Sequence, residues 1–86
     1  MSSQKHKLSV ANREYGRLLR IRRKQRGEQA HEAAVALSMG IDRYYDIERG
    51  KRDLKLSEML RINMYYGIGT QELIDIGFLT AIIKGE

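Results

Sequence analysis

The chain contains no cysteine and no proline. The first absence excludes a disulfide framework and any thiolate metal centre. The second removes the strongest helix breaker, and because residues of strong β-preference are few, a helical domain is favoured. No apolar run approaches the roughly 20 residues that span a membrane. The amino terminus, Met1-Ser2-Ser3-Gln4-Lys5-His6-Lys7, has no apolar core of the kind a secretion signal needs. A cytoplasmic protein without a membrane partner is the expectation. The length of 86 residues, 42 % of them hydrophobic, suits one small domain with a single core.

Motifs of catalysis are missing too. His31-Glu32 begins like a zinc-peptidase signature, but Val35 stands where the second histidine belongs. His6 is the other histidine and lies far away in a polar segment. Gly67-Ile68-Gly69 has neither the lysine nor the hydroxyl of a phosphate loop. We expect no enzyme, no cofactor and no metal site.

What the chain does have is positive charge, unevenly spread. Residues 1–27 carry Lys5, Lys7, Arg13, Arg17, Arg20, Arg22, Arg23, Lys24 and Arg26 against Glu14 alone, while the remainder is mildly acidic and the whole is +5. A basic front and an acidic back suit a protein with one face turned to a polyanion; the plainer alternative is a solvated helix face. A second concentration of information lies in residues 40–52, Gly-Ile-Asp-Arg-Tyr-Tyr-Asp-Ile-Glu-Arg-Gly-Lys-Arg. Tyr44 and Ile47 share a helical stripe that would be buried, which leaves Ile41, Asp42, Arg43, Tyr45 and Asp46 outward. Gly50 supplies a left-handed stop, and Arg49, Lys51 and Arg52 cluster around it. A short helix with a varied polar face beside such a cluster fits a DNA groove.

Periodicity predicts an all-α chain of five helices. Residues 1–9 read as a mobile basic arm, residues 10–76 as the folded domain, and residues 77–86 as an apolar tail. The first helix is predicted from Val10 or Asn12 to Arg26, with Tyr15, Leu18, Leu19 and Val10 inward and Gly27 as its stop. The second covers about 29–37 and is rich in alanine (Ala30, Ala33, Ala34, Ala36), so a neighbour can approach closely. Ser38-Met39-Gly40 is the turn before the helix already described. The fourth spans about 55–66, with Leu56, Met59, Leu60 and Ile62 expected inward and Gly67 as cap; a short fifth carries Leu73, Ile74 and Ile76. Phe78-Leu79-Thr80-Ala81-Ile82-Ile83 suits a strand or further helix, and its apolar character suits a contact between two copies or with a protein partner.

Taken together these residues resemble the Cro/phage-repressor (XRE-like) helix-turn-helix family over about residues 15–74. Tyr15 to Gly27 resembles the family's first helix. Ala34 with Leu37-Ser38-Met39-Gly40 sits at its Ala…Leu-Gly-Val-Ser turn, and Ile47-Glu48-Arg49-Gly50-Lys51-Arg52 matches its Ile-Glu-Arg-Gly-Lys-Arg signature. Leu56 through Gly67-Ile68, followed by Glu72-Leu73, resembles its closing segment. The resemblance implies a five-helix, lambda-repressor-like domain that binds double-stranded DNA as a homodimer. Its function would be that of a repressor or autoregulator at a palindromic operator. The alternative is a protein-interaction module, such as an antitoxin or an antagonist of another regulator, acting through the tail. It further implies an ion pair between Arg23 and Glu48 that ties the first helix to the recognition helix.

Within the expected interface, Ile41, Asp42, Arg43, Tyr45 and Asp46 are candidates for base-edge contact. Arg43 suits guanine in bidentate fashion or else a phosphate or ion pair; Asp42 or Asp46 suits a cytosine amino group, or Asp46 pairs with Arg43 or Arg49. Tyr45 suits a thymine methyl, a phosphate or the core edge. Arg17, Arg49, Lys51 and Arg52 suit phosphates, which position rather than specify. The chain departs from the family at Gln29 and Ala30, where the usual Ser/Thr-Gln phosphate clamp is missing. It departs again at Ala33, in place of a large apolar residue that Tyr44 compensates, and at Gly40, in place of a Ser/Thr cap. The Gly40 change costs only a few tenths of a kcal/mol, about 0.3.

Overall fold

A computed structural model of the chain describes residues 2–77, with side chains from residue 10 onward. Five helices follow one another: α1 (Ser2–Gln25), α2 (Ala30–Ala36), α3 (Ile41–Glu48), α4 (Leu56–Tyr66) and α5 (Thr70–Asp75). There is no strand among the described residues. Helix α1 starts well ahead of the expected Val10 or Asn12, so residues 2–9 are helical rather than aperiodic. Nothing in Ser2–Ser9 breaks a helix, and once the helix is nucleated each added residue costs little. The expected strand or helix after Gly77 lies outside the described residues.

The core gathers Tyr15 and Leu19 of α1, Ala30, Ala33 and Ala34 of α2, Tyr44 and Ile47 of α3, and Met59, Ile62 and Tyr66 of α4, closed by Ile68 and Leu73. The small residues of α2 let α3 pack tightly beside it, and Ala33 and Tyr44 are both fully buried in the same core. Several expected facings are corrected. Val10 is exposed, while Ala11 and Asn12 are buried, with Asn12 donating to Asp53 Oδ1 at 3.0 Å. Ala36 and Ile74 face outward, and Leu18 is only half-buried. On α4, Leu56 and Leu60 point to solvent and form an exposed ridge with Met64. The reason is Glu58: paired with Arg43, it takes an inward position that a hydrophobic pattern assigns to the surface, and the buried stripe turns accordingly.

The helix ends follow one local rule. At the close of α2, Ser38 has φ 54°, and the N–H groups of Ser38 and Met39 donate to Val35 O (3.0 Å) and Ala34 O (2.9 Å). This Schellman arrangement is normally built on glycine, and it appears so at the close of α3, where Gly50 has φ 69°. At the helix starts, a glutamate in the third position accepts from the backbone N–H before the helix: Glu32 from Gln29 (2.7 Å), Glu58 from Lys55 (3.0 Å) and Glu72 from Gly69 (3.2 Å).

Candidate nucleic-acid interface

Helix α3 is seated at its C-terminal end by direct backbone contact with α1. A Cβ on Gly16 would stand 2.3 Å from Glu48 O, and one on Gly50 would stand 2.5 Å from Arg13 Cα. Neither position has room for a side chain. Beside this seam, Arg23 Nε donates to Glu48 Oε2 at 2.6 Å and Arg23 Nη2 to Glu48 Oε1 at 3.0 Å, while Arg23 Nη1 donates to Glu28 O at 3.0 Å. The side chains are 12 % and 5 % exposed, so this is a screened, bidentate pair. The hydrogen bond to Glu48 raises the Arg23 pKa, outweighing the opposing effect of burial. Tyr44 adds a further tie: its hydroxyl lies 2.6 Å from that of Tyr66 on α4. Burial, helped by the neighbouring Glu48 carboxylate, pushes Tyr44 well above the usual phenol range, and burial pushes Tyr66 up to about 12.

The outward face of α3 is held differently. Gly40 provides no side-chain cap, and Ile41, Asp42 and Tyr45 are exposed. Arg43 is turned back toward the protein, donating from Nε to Glu58 Oε2 at 2.9 Å, from Nη2 to Glu58 Oε1 at 2.5 Å, and from Nη2 to Asp53 O at 3.2 Å. Its hydrogen bond to Glu58 holds that carboxyl below the usual carboxylate range despite burial. Asp46 accepts from Arg52 Nε at 2.8 Å and lies 3.9 Å from Arg49 Nη1; its partners are thus Arg52 and Arg49 rather than Arg43. The Arg49 guanidinium also stands 5.2 Å from the centre of the Tyr45 ring. Asp42 and Lys51 are exposed and make no ion pair among the described residues. Arg17 is exposed, 4.0 Å from Glu14.

A shallow groove of about 450 Å³ runs beside the exposed face of α3, lined by Arg20 and Lys24 of α1, by Gln29 and Ala30 at the start of α2, and by Tyr45 and Arg49. The structure thus brings Tyr45 and Arg49 together with two cations of α1 that sequence reasoning did not single out. A family model described as a helix-turn-helix domain matches residues 14–75 of the sequence. The chain belongs to that family. No curated protein and no solved structure gives a match. The helix-turn-helix unit is α2, the turn at Ser38 and α3, and it is a DNA-binding domain of this class. Among the described residues, no helix is long and apolar enough to cross a membrane.

Sequence reasoning missed Gly16 and Glu58 as parts of this helix-turn-helix site. Gly16 had a signal, a lone glycine inside a strongly helical run, which marks a close backbone approach. Glu58 had half of one, the third-position glutamate of a helix start, but nothing in the order of residues pairs it with Arg43.

Proposed function

We propose that the chain is a sequence-specific, DNA-binding transcriptional regulator, a repressor or autoregulator that binds a palindromic operator as a homodimer. The observation that carries this reading is the split on α3: one face deeply anchored through Tyr44, Ile47 and Glu48, and another whose Ile41, Asp42 and Tyr45 are exposed, Tyr45 in the wall of a groove that Arg20, Lys24 and Arg49 also line. Such a helix enters a major groove at a fixed tilt and presents its N-terminal residues to base edges. Asp42 accepts from a cytosine amino group, and Ile41 and Tyr45 meet thymine methyls. Arg17, Arg49, Lys51 and Arg52 meet phosphates, with Asp46 holding two of them in place. Arg43 acts through Glu58, as a positioning residue for α3.

One short helix reads too few base pairs for useful discrimination, and two half-sites about 10 base pairs apart multiply it. The outward Leu56, Leu60 and Met64 ridge of α4 is a surface available to a second copy, and the apolar composition of residues 78–83 suits the same kind of contact. That ridge also favours the second reading, a protein-interaction module such as an antitoxin. Selection from a random duplex library, followed by mobility shift and sedimentation, tests the proposal. Enrichment of a two-fold-symmetric site bound by a dimer is expected; failure to enrich any sequence would leave the interaction module. Truncation after Ile76 is expected to leave a folded, largely monomeric chain that binds the selected site at least tenfold more weakly. A truncated dimer would place the contact on α4.

A further inference from the structure

From residue 10 onward, the cations of α1, with Arg26 just past its end, fall into two sets. Arg22, Arg23 and Arg26 are consumed inside the molecule. Arg22 binds Glu72 and Tyr66 O, Arg23 binds Glu48, and Arg26 lies over the rings of Tyr65 and Tyr66. Arg13, Arg17, Arg20 and Lys24 are all exposed. Their sequence spacing keeps them within one narrow arc of the helix, so they form a single row about 16 Å long. Among the described residues Glu14, 4.0 Å from Arg17, makes an ion pair with the row, and Glu48, which lines the groove with Arg20 and Lys24, is already held by Arg23.

Neighbours in this row are like charges one helical turn apart, an arrangement that weakens a helix, and solvated helix faces normally avoid it by interleaving acids. The row also has a fixed place relative to α3. Arg13 abuts Gly50, next to Lys51, while Arg20 and Lys24 share the groove with Tyr45 and Arg49. It therefore borders the exposed face of α3 on the side where the start of α2, Gln29 and Ala30, lines the same groove without adding a charge.

We propose that Arg13, Arg17, Arg20 and Lys24 form a phosphate rail, a sequence-independent track for the DNA backbone beside the half-site that α3 reads. This rests on the DNA-binding reading above and deepens it, since α1 supplies the backbone grip that the start of α2 does not.

The test uses the full chain and an arbitrary-sequence 24-base-pair duplex, with affinity measured by fluorescence anisotropy across a range of salt concentrations. Each phosphate contact contributes about 0.9 to the slope of log affinity against log salt. The variant R17Q/R20Q/K24Q should lower the magnitude of that slope by about 2–3 for each chain bound and weaken binding at least tenfold, with a melting temperature equal to or above that of the wild type. R13Q/R17Q, which keeps the Arg13 stem against Gly50, should lower the slope by nearly 2 for each chain bound, about 0.9 for each cation removed. An unchanged slope in both variants overturns the rail alone. A lowered melting temperature with the slope retained assigns the row to the fold and overturns it as well. A wild type that binds neither this duplex nor any selected one overturns the regulator reading, and the rail with it.

Discussion

The two faces of α3 are held by opposite means. The buried face carries Tyr44, Ile47 and Glu48, with Glu48 locked by Arg23, Tyr44 tied to Tyr66, and the end of the helix meeting α1 backbone to backbone at Gly16 and Gly50. The outward face has three exposed side chains, Ile41, Asp42 and Tyr45, and one strut, Arg43 to Glu58. Anchoring and exposure are therefore separated around the helix, within eight residues. Residues that seat the helix are buried, whereas those on the outward face make few contacts with their own protein. Replacement at Ile41, Asp42 or Tyr45 should alter preference without unfolding the domain, since surface changes away from such features stay within about ±0.5 kcal/mol.

The sharpest way to break this contrast is Gly16→Val. Its Cβ would fall against carbonyl oxygens of α3, which cannot yield without moving the helix, so the variant should lose cooperative unfolding altogether. A chain that still unfolds cooperatively within 1 kcal/mol or so of the wild type, about the size of an ordinary substitution, would show that the seam is loose. Next comes Glu48→Ala, which leaves Arg23 buried and unpaired and should cost about 3–5 kcal/mol in urea denaturation.

Arg43→Ala is expected to cost less, about 1–2 kcal/mol, because Arg43 is more exposed than Arg23 and water screens its pair with Glu58 more effectively. Its effect on DNA should be a uniform weakening over all sequences; a loss confined to one base pair would return Arg43 to the reading set. The pH dependence follows the same strut. Glu58 ionises lower in the folded chain than its unfolded value of about 4.3, so its stabilisation is complete above that pH and disappears as pH falls through the depressed folded value. Arg43→Ala should remove part of the loss of stability expected, in urea titrations, as pH falls below about 4.3.

Much of this could be read from residue order, and the exceptions share a cause. The five helices, their stops at Gly27, Gly50 and Gly67, and the inward Tyr44 and Ile47 follow from local spacing and turn chemistry, which are encoded over a few residues. Leu56 and Leu60 were misplaced because facing on α4 depends on a charge, Glu58, satisfied from another helix. Arg43 resembles a reader in isolation and becomes a strut only once α4 is in place. Arg20 and Lys24 gained significance by adjacency to Tyr45 and Arg49, which no local pattern contains.

A smaller effect, of opposite sign, concerns the turn between the two helices of the unit. Ser38 holds a left-handed conformation that suits glycine, so Ser38→Gly should stabilise by about 1 kcal/mol and raise the melting temperature without changing the preferred sequence. A destabilised variant would mean that the serine hydroxyl supports the turn.

The third-position glutamates have a consequence for how the chain folds. Glu58 and Glu72 each close the first turn of their own helix and, with the same carboxylate, grip an arginine from an earlier one, Arg43 and Arg22 respectively. Starting α4 or α5 is thereby coupled to docking it, and both helices are too short to persist alone. Secondary and tertiary structure should appear in a single step, and the amide hydrogens of Lys55 and Gly69, although they stand at helix ends where fraying is usual, should exchange with solvent on the timescale of global opening.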